Sequence, residues 1–322
     1  MRSGTATCFL VADVGGTNTR VALSGPDGRP FQVARFQNDR FAAFQNVLAQ
    51  YQRDNAVPAL NGCCVAVAGP VTSGRARLTN RDWALDAARI ADHLPLIAGS
   101  QVSLINDLAA LGHALPELTG TQLQQIKPAA PGGEVNDQAL VAGLGTGFNI
   151  CLVKGGRRNP VVIEAELGHA SLPDSVAAGL RAEIGDEADT FDTVEALFSG
   201  SGLARLYWNL SGGEQRSGAG ILAAYGCAAE EAVNRSVDLT ARLLGSFTRQ
   251  LVFHYLPFGG IHFAGGAARG ILGSPARALF LHSFDAPGRF ADHVGRVPVR
   301  LVTDDAAALT GAARILARQT DA

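Results

Sequence analysis

One stretch limits the possible folds more than any other. Cys8-Phe9-Leu10-Val11-Ala12 is a short apolar run, it passes into Asp13-Val14-Gly15-Gly16-Thr17-Asn18-Thr19-Arg20, and Val21-Ala22-Leu23 is apolar again. Apolar runs of this length bounded by turn residues predict buried strands. The pattern is therefore strand, glycine turn, strand, with an acidic residue closing the first strand. Glycine lacks a Cβ, so backbone N–H groups in such a turn can approach a ligand closely. Thr17, Asn18 and Thr19 add hydroxyl and amide donors, and a concave row of donors suits a phosphate. Asp13 at the strand end suits a hydrated Mg²⁺ carried in with phosphates. A plain β-hairpin with a glycine turn has the same local pattern.

A second stretch separates the two readings. Ala139-Leu140-Val141-Ala142 runs into Gly143-Leu144-Gly145-Thr146-Gly147, and Phe148-Asn149-Ile150-Cys151-Leu152-Val153 is strand-like again. The plan of the first unit is repeated. Neither turn is a P-loop, which needs G-x-x-x-x-G-K-[ST] opening a helix. Nor does the second fit G-x-G-x-x-G, because its glycines alternate and a strand follows. Two strand–turn–strand phosphate loops in two halves of one chain predict a nucleotide held between two related domains.

Asp13 to Arg20 resembles the first phosphate motif of the sugar kinase, actin and heat-shock chaperone superfamily, and Gly143 to Gly147 its second. Phe263-Ala264-Gly265-Gly266-Ala267-Ala268 resembles its adenosine motif. Three motifs in this order resemble the bacterial glucokinase family across nearly the whole chain. The resemblance implies an α/β fold of two ribonuclease H-like (actin-like ATPase) domains with a central cleft. It also implies ATP and Mg²⁺ as cofactors, with Asp13 (metal through water), Gly15, Gly16, Thr17, Asn18, Gly145, Thr146, Gly147, Gly265 and Gly266 on the nucleotide.

At 322 residues the chain is long for one core and comfortable for two domains. Hydrophobic residues at 47% and charged residues at 17% fit a globular enzyme. A net charge of -2 gives no reason to expect nucleic acid or an acidic membrane surface as partner. Five cysteines, an odd count without C-x-x-C spacing, argue against a disulfide framework or zinc site. With neither an apolar signal segment nor a membrane-spanning run, the expected location is cytoplasmic.

Several further segments carry candidates. Residues 41–53 show the stripe of an amphipathic helix in Phe41, Phe44, Val47, Leu48 and Tyr51. Leu78-Thr79-Asn80-Arg81-Asp82-Trp83 resembles the family's T-N-x-x-W segment near the sugar pocket, which puts Asn80 among the substrate contacts. Gln101 to Ile105 predicts a strand, and Leu108 to Leu115 a helix, so Asn106 and Asp107 stand where ligands bind in open α/β sheets. Asp107 in that position is either a helix cap or the catalytic base, and the two phosphate loops favour the base. A solvated Asp has a pKa of roughly 4 and would be ionised without help.

Residues 116–138, rich in Pro, Gly, Gln and Thr, predict a crossing between domains. The domains expected are 1–115 plus 305–322 and 116–304. Glu164-Ala165-Glu166-Leu167-Gly168-His169 resembles the family's E-G-G-H segment, which implies that Glu166 and His169 contact sugar hydroxyls. Leu167 stands in place of a glycine, and Phe148-Asn149 stands where family members usually carry smaller or different residues. Glu195-Ala196-Leu197-Phe198-Ser199-Gly200 resembles E-x-x-x-S-G, whose glutamate also holds the sugar.

The resemblance implies ATP-dependent phosphorylation of D-glucose at its 6-hydroxyl, with Asp107 as base and Asn106, Asp107, Glu166, His169, Glu195 and Asn80 on the sugar. The residues by themselves say only a hexose-like polyol. A kinase for mannose, fructose or an amino sugar is the alternative, and a sugar-sensing protein without turnover is a third reading. The phosphate donor (ATP or polyphosphate) stays open, as does a homodimer as the assembly.

Overall fold

The computed structural model describes residues 7–78, 81–132, 136–156 and 159–320. The chain divides into two compact units, residues 1–118 with 304–322, and residues 119–303. Each contains a twisted sheet built to one plan.

In the first unit the strands are β1 (Phe9–Val14), β2 (Asn18–Ser24), β3 (Pro30–Gln37), β4 (Gly62–Val67), the short β5 (Val71–Thr72), β6 (Arg75–Arg77) and β7 (Ala84–Asp86), and β8 (Val102–Asn106). The main sheet has the order β3-β2-β1-β4-β8, and β5-β6-β7 form a small separate sheet. β1, β2 and β3 pair antiparallel, whereas β4 lies parallel to β1, and β8 parallel to β4. Side chains alternate across a strand. Leu10, Ala12 and Val14 accordingly join a core on one face with Phe44, Val47, Leu48 and Tyr51 of helix α1 (Phe44–Asp54). Phe9 and Val11 join a core on the other face with Leu309, Ala312, Ala313 and Leu316 of the C-terminal helix Ala307–Thr320. That helix also packs on α3 (Asp107–Ala114), which follows the short α2 (Ala87–Ala91). The approach is so close that a Cβ at Gly311 would collide with the Ala110 carbonyl.

In the second unit the strands are β9 (Leu123–Lys127), β10 (Gln138–Leu144), β11 (Phe148–Lys154), β12 (Val161–Glu164), β13 (Gly260–Ala264) and β14 (Val299–Val302). Their order is β12-β11-β10-β13-β14-β9. The first five repeat the first unit: three antiparallel strands, then two parallel to the central one. The helices are α4 (Asp174–Ile184), α5 (Val194–Leu197), α6 (Gly200–Ser211), α7 (Gly218–Ala224), α8 (Glu231–Tyr255), α9 (Gly266–Leu272), α10 (Arg277–Phe284) and α11 (Ala291–Gly295).

The sixth strand corrects the expectation of a crossing segment over 116–138. β9 lies inside it, antiparallel to β14. Its apolar residues, Leu123 and Ile126, are three apart because of a bulge: Val299 faces Lys127 and Arg300 faces Gln125, which leaves Ile126 unopposed. A period of three hides a strand from a reading based on alternation.

Candidate active site

The first glycine turn joins β1 to β2, and buried groups fasten it from behind. Gly15 N–H donates to the Asn18 carbonyl at 3.0 Å and closes the turn. The fully buried Asn38 donates through Nδ2 to the carbonyls of Gly15 (2.7 Å) and Gly16 (3.2 Å), and its own N–H donates to Thr17 O at 2.9 Å. Arg81 Nε also donates to Gly16 O (3.1 Å), and its Nη1 to Asn38 O (3.3 Å). With three successive carbonyls held on the protein side, the Gly16 and Thr17 N–H groups are left without a protein acceptor among the described residues. Thr19 does not serve as a ligand donor. It is fully buried, and its hydroxyl donates to Asn38 Oδ1 at 2.8 Å. The strand period explains this, because Thr19 lies on the core side of β2, opposite Asn18 and Arg20.

At the carboxyl ends of the parallel strands the register aligns Val14, Val67 and Asn106. Asp13 and Asp107 therefore emerge at one edge of the sheet. Asn106, not Asp107, caps α3: its Oδ1 accepts from the N–H groups of Leu108 (2.9 Å) and Ala109 (3.3 Å). Its Nδ2 donates to Gly69 O at 3.2 Å, so a ligand could use only its remaining N–H. Asp107 Oδ1 accepts from Leu108 N–H at 2.9 Å.

The expectation of an ordinary solvated carboxylate at Asp107 is corrected. Burial first, and the neighbouring Asp13 carboxylate second, push its pKa up to about 7. Burial also raises Asp13, although Arg20 pulls it the other way. Arg20 Nη1 donates to Asp13 Oδ2 at 2.9 Å, and its Nη2 lies 3.6 Å from Asp305. Asp13 Oδ1 stays outside that ion pair. Two carboxylates with mutual repulsion at one sheet edge are a donor set that suits a divalent cation with oxygen ligands.

In the second unit the turn Gly145-Thr146-Gly147 joins β10 to β11. Gly145 N–H donates to Gly147 O (2.9 Å), and the first helical N–H of α6, at Gly200, donates to Gly145 O (2.8 Å). Gly265 follows β13 with φ +104° and packs so closely on the Leu144 carbonyl that no Cβ would fit, so the adenosine motif adjoins the second phosphate turn. The candidate sugar contacts adjoin it too. Gly168 packs under the Phe148 carbonyl where a Cβ would collide, and Glu195 Cβ lies within van der Waals reach of the same position. Glu195 Oε2 accepts from Phe148 N–H at 2.8 Å. Glu195, expected on the sugar, thus has one of its oxygens engaged in securing the turn. Glu166 and His169 are both exposed, Glu166 just before and His169 at the end of a short helical turn at 167–169.

The structure thus gathers Asp13, Gly15 to Asn18, Asn106 and Asp107 at one edge of the first unit. It gathers Gly145 to Gly147, Glu166, His169, Glu195, Gly265 and Gly266 around one turn of the second. Asn80 lies outside the described residues. Arg20, Asn38 and Arg81 were not singled out by sequence, and Asn149 only as a departure from the family pattern, without a role. Only Arg20 had a signal, as the last residue of the first motif and one strand across from Asp13.

Two sheets of one plan, each with a glycine turn beside its central strand, define the actin-like ATPase fold. A solved glucokinase from an Antarctic psychrotroph matches with a TM-score of 0.77 at 28% identity, over 98% of this chain and 100% of that one. A ROK family glucokinase from Streptomyces griseus in complex with glucose and AMPPNP shares the fold, with a TM-score of 0.63 at 20% identity over 97% and 99%. The glucokinase of Photorhabdus laumondii is 28% identical over 330 residues, 96% of this chain and 97% of its own. The glucokinase family model matches residues 10–319, and the chain belongs to that family.

Proposed function

We propose that this protein is an ATP-dependent glucokinase that transfers the γ-phosphoryl group of ATP to the 6-hydroxyl of D-glucose. The observation that carries the reading is the place of Asp107, just after β8 and on the same sheet edge as Asp13 and the first phosphate turn, where burial pushes its pKa up to about 7. A base is most effective when its pKa lies near the working pH, and phosphoryl transfer to an alcohol needs one group to take the hydroxyl proton.

Asp107 accepts that proton and aligns the attacking oxygen. The free N–H groups of Gly16 and Thr17, and the turn Gly145 to Gly147, bind phosphate oxygens, while Gly265 and Gly266 border the adenosine. Mg²⁺, held through water by Asp13, would supply neutralisation of phosphate charge. Glu166, His169 and Glu195 accept and donate hydrogen bonds to sugar hydroxyls, with Asn106 and Asn80 completing the set. A site built to bond hydroxyls rejects analogues without them, because its polar groups would go unpaired. Free cysteines, four of the five buried, suit the reducing cytoplasm. Among the described residues no helix is long and apolar enough to cross a membrane.

A second reading, a kinase for another hexose, draws on the hydrogen bonds that Asn149 makes to Glu166 and Leu167. One experiment tests both. Purified protein with ATP, Mg²⁺ and a panel of hexoses should release ADP fastest with D-glucose. Faster release with mannose, fructose or an amino sugar selects the second reading, and no release with any of them overturns both.

A further inference from the structure

We propose that Asn149 sets the sugar selectivity of this chain by holding the Glu166 carboxylate and the loop behind it to the strand that leaves the second phosphate turn. This rests on the assignment of Glu166 to the sugar. Asn149 is the second residue of β11 and half-buried. Its Nδ2 donates to Glu166 Oε2 at 2.9 Å. Its Oδ1 accepts from Leu167 N–H at 3.0 Å and from Ile150 N–H at 2.9 Å. One amide therefore fixes both the carboxylate of residue 166 and the backbone of residue 167. Asn149 and Leu167 are the two ends of one hydrogen bond.

Glu166 is otherwise exposed, and among the described residues its carboxylate has no second protein partner. An exposed glutamate samples many rotamers, and holding it removes that freedom before any ligand arrives. The loop has little slack elsewhere, because Gly168 is pressed under the Phe148 carbonyl. Hexose epimers differ in the direction of a single hydroxyl. An acceptor fixed in direction discriminates between them, and one free to swing follows whichever hydroxyl is present. A residue with no polar side chain at 149 could make neither contact.

Asn149→Asp keeps the shape and the oxygen facing Leu167 N–H, but turns the donor facing Glu166 into a second carboxylate. Asn149→Ala removes both contacts. In each variant the ratio of kcat/KM for glucose over mannose and over N-acetylglucosamine should fall by about fivefold or more, and the glucose KM should rise about tenfold, the scale of a lost hydrogen bond to a charged group. The KM for ATP and the melting temperature should move little. For Asn149→Asp the loss of glucose affinity, measured by calorimetry against the wild type, should shrink as pH falls, because paired carboxylates come to share a proton. Unchanged selectivity ratios in a folded variant overturn the proposal and leave Asn149 a loop fastener; Asn149→Ala decides if Asn149→Asp does not fold. A wild-type protein that turns over no hexose overturns the kinase reading and this proposal with it, whereas normal wild-type turnover with unaltered ratios sinks this proposal alone.

Discussion

Asp13 and Arg20 are register partners on antiparallel β1 and β2, and the guanidinium Nη1 meets Asp13 Oδ2 at 2.9 Å, with side chains only 12% and 18% exposed. The same guanidinium reaches Asp305, just before the C-terminal helix, at 3.6 Å. One arginine thus links the first phosphate hairpin to the helix that covers its sheet. Removing one partner of a largely buried pair leaves an uncompensated charge, which costs about 3–5 kcal/mol when burial is complete. Arg20→Ala should lower stability by about 2–3 kcal/mol in urea unfolding, and Mg²⁺ should raise its melting temperature more than that of the wild type. Arg20→Lys should recover only part of the loss, since an ammonium cannot span both carboxylates as the guanidinium fork does. An unmoved urea midpoint in Arg20→Ala would show that Asp13 does not depend on the pair.

Asn38 should matter to nucleotide binding although it never touches the nucleotide. Asn38→Ala leaves the Gly15 carbonyl and the Thr19 hydroxyl without their partner, and Gly16 O with Arg81 alone. Each unsatisfied buried group costs about 1–3 kcal/mol. The expected result is a KM for ATP raised by about tenfold or more, with the sugar KM changed much less, together with a lower melting temperature. Equal changes in both KM values would point to general loosening of the unit.

Glu195 divides its carboxylate between the second turn and the proposed sugar site. Glu195→Ala should therefore raise the KM for ATP as well as for sugar, because Phe148 N–H loses its acceptor. Glu195→Gln keeps an oxygen for that N–H and should restore the ATP value while the sugar KM remains about tenfold high, the scale of a charged hydrogen bond reduced to a neutral one. If Glu195→Gln and Glu195→Ala behave alike toward ATP, the contact with Phe148 does not steady the turn.

Much of this architecture was legible because its signals are local. Each glycine turn is flanked by its own strands, and Asp107 lies where an apolar run gives way to a helical one. Phe44, Val47, Leu48 and Tyr51 read correctly as a buried stripe, because helical spacing repeats within the segment. What escaped depends on partners distant in sequence. Asn38 reaches back 23 residues to Gly15, and Arg81 reaches back 65 to Gly16; nothing near either residue shows it. A shift of one residue in a helix start decides whether Asn106 or Asp107 is the cap, and composition cannot resolve that. Desolvation of Asp107 arises from packing of whole elements, so the letter Asp suggested an ordinary acid.

That desolvation leads to a double consequence for pH. A pKa near 7 means that Asp107 loses its proton over the range in which such an enzyme works. If it is the base, kcat/KM should fall on the acid side of an apparent pKa near 7 in the free enzyme. In Asp107→Asn, kcat should be lower by about 10² to 10⁴, with glucose binding by calorimetry little changed. Stability should run the other way. The folded pKa lies above the unfolded value of about 3.9, so between these values the native state binds more protons than the unfolded chain, and stability declines as pH rises from about 4 to 7. The full contribution is present below pH 4 and lost above pH 7. Asp107→Asn carries no charge to desolvate and should lack this slope, so it should gain stability relative to the wild type at pH 8 and lose that advantage at pH 4. Thermal melts of both proteins across that range check the sign. An Asp107→Asn variant that keeps most of its kcat and melts in parallel with the wild type at every pH would remove Asp107 as the base and as an acid with a raised pKa.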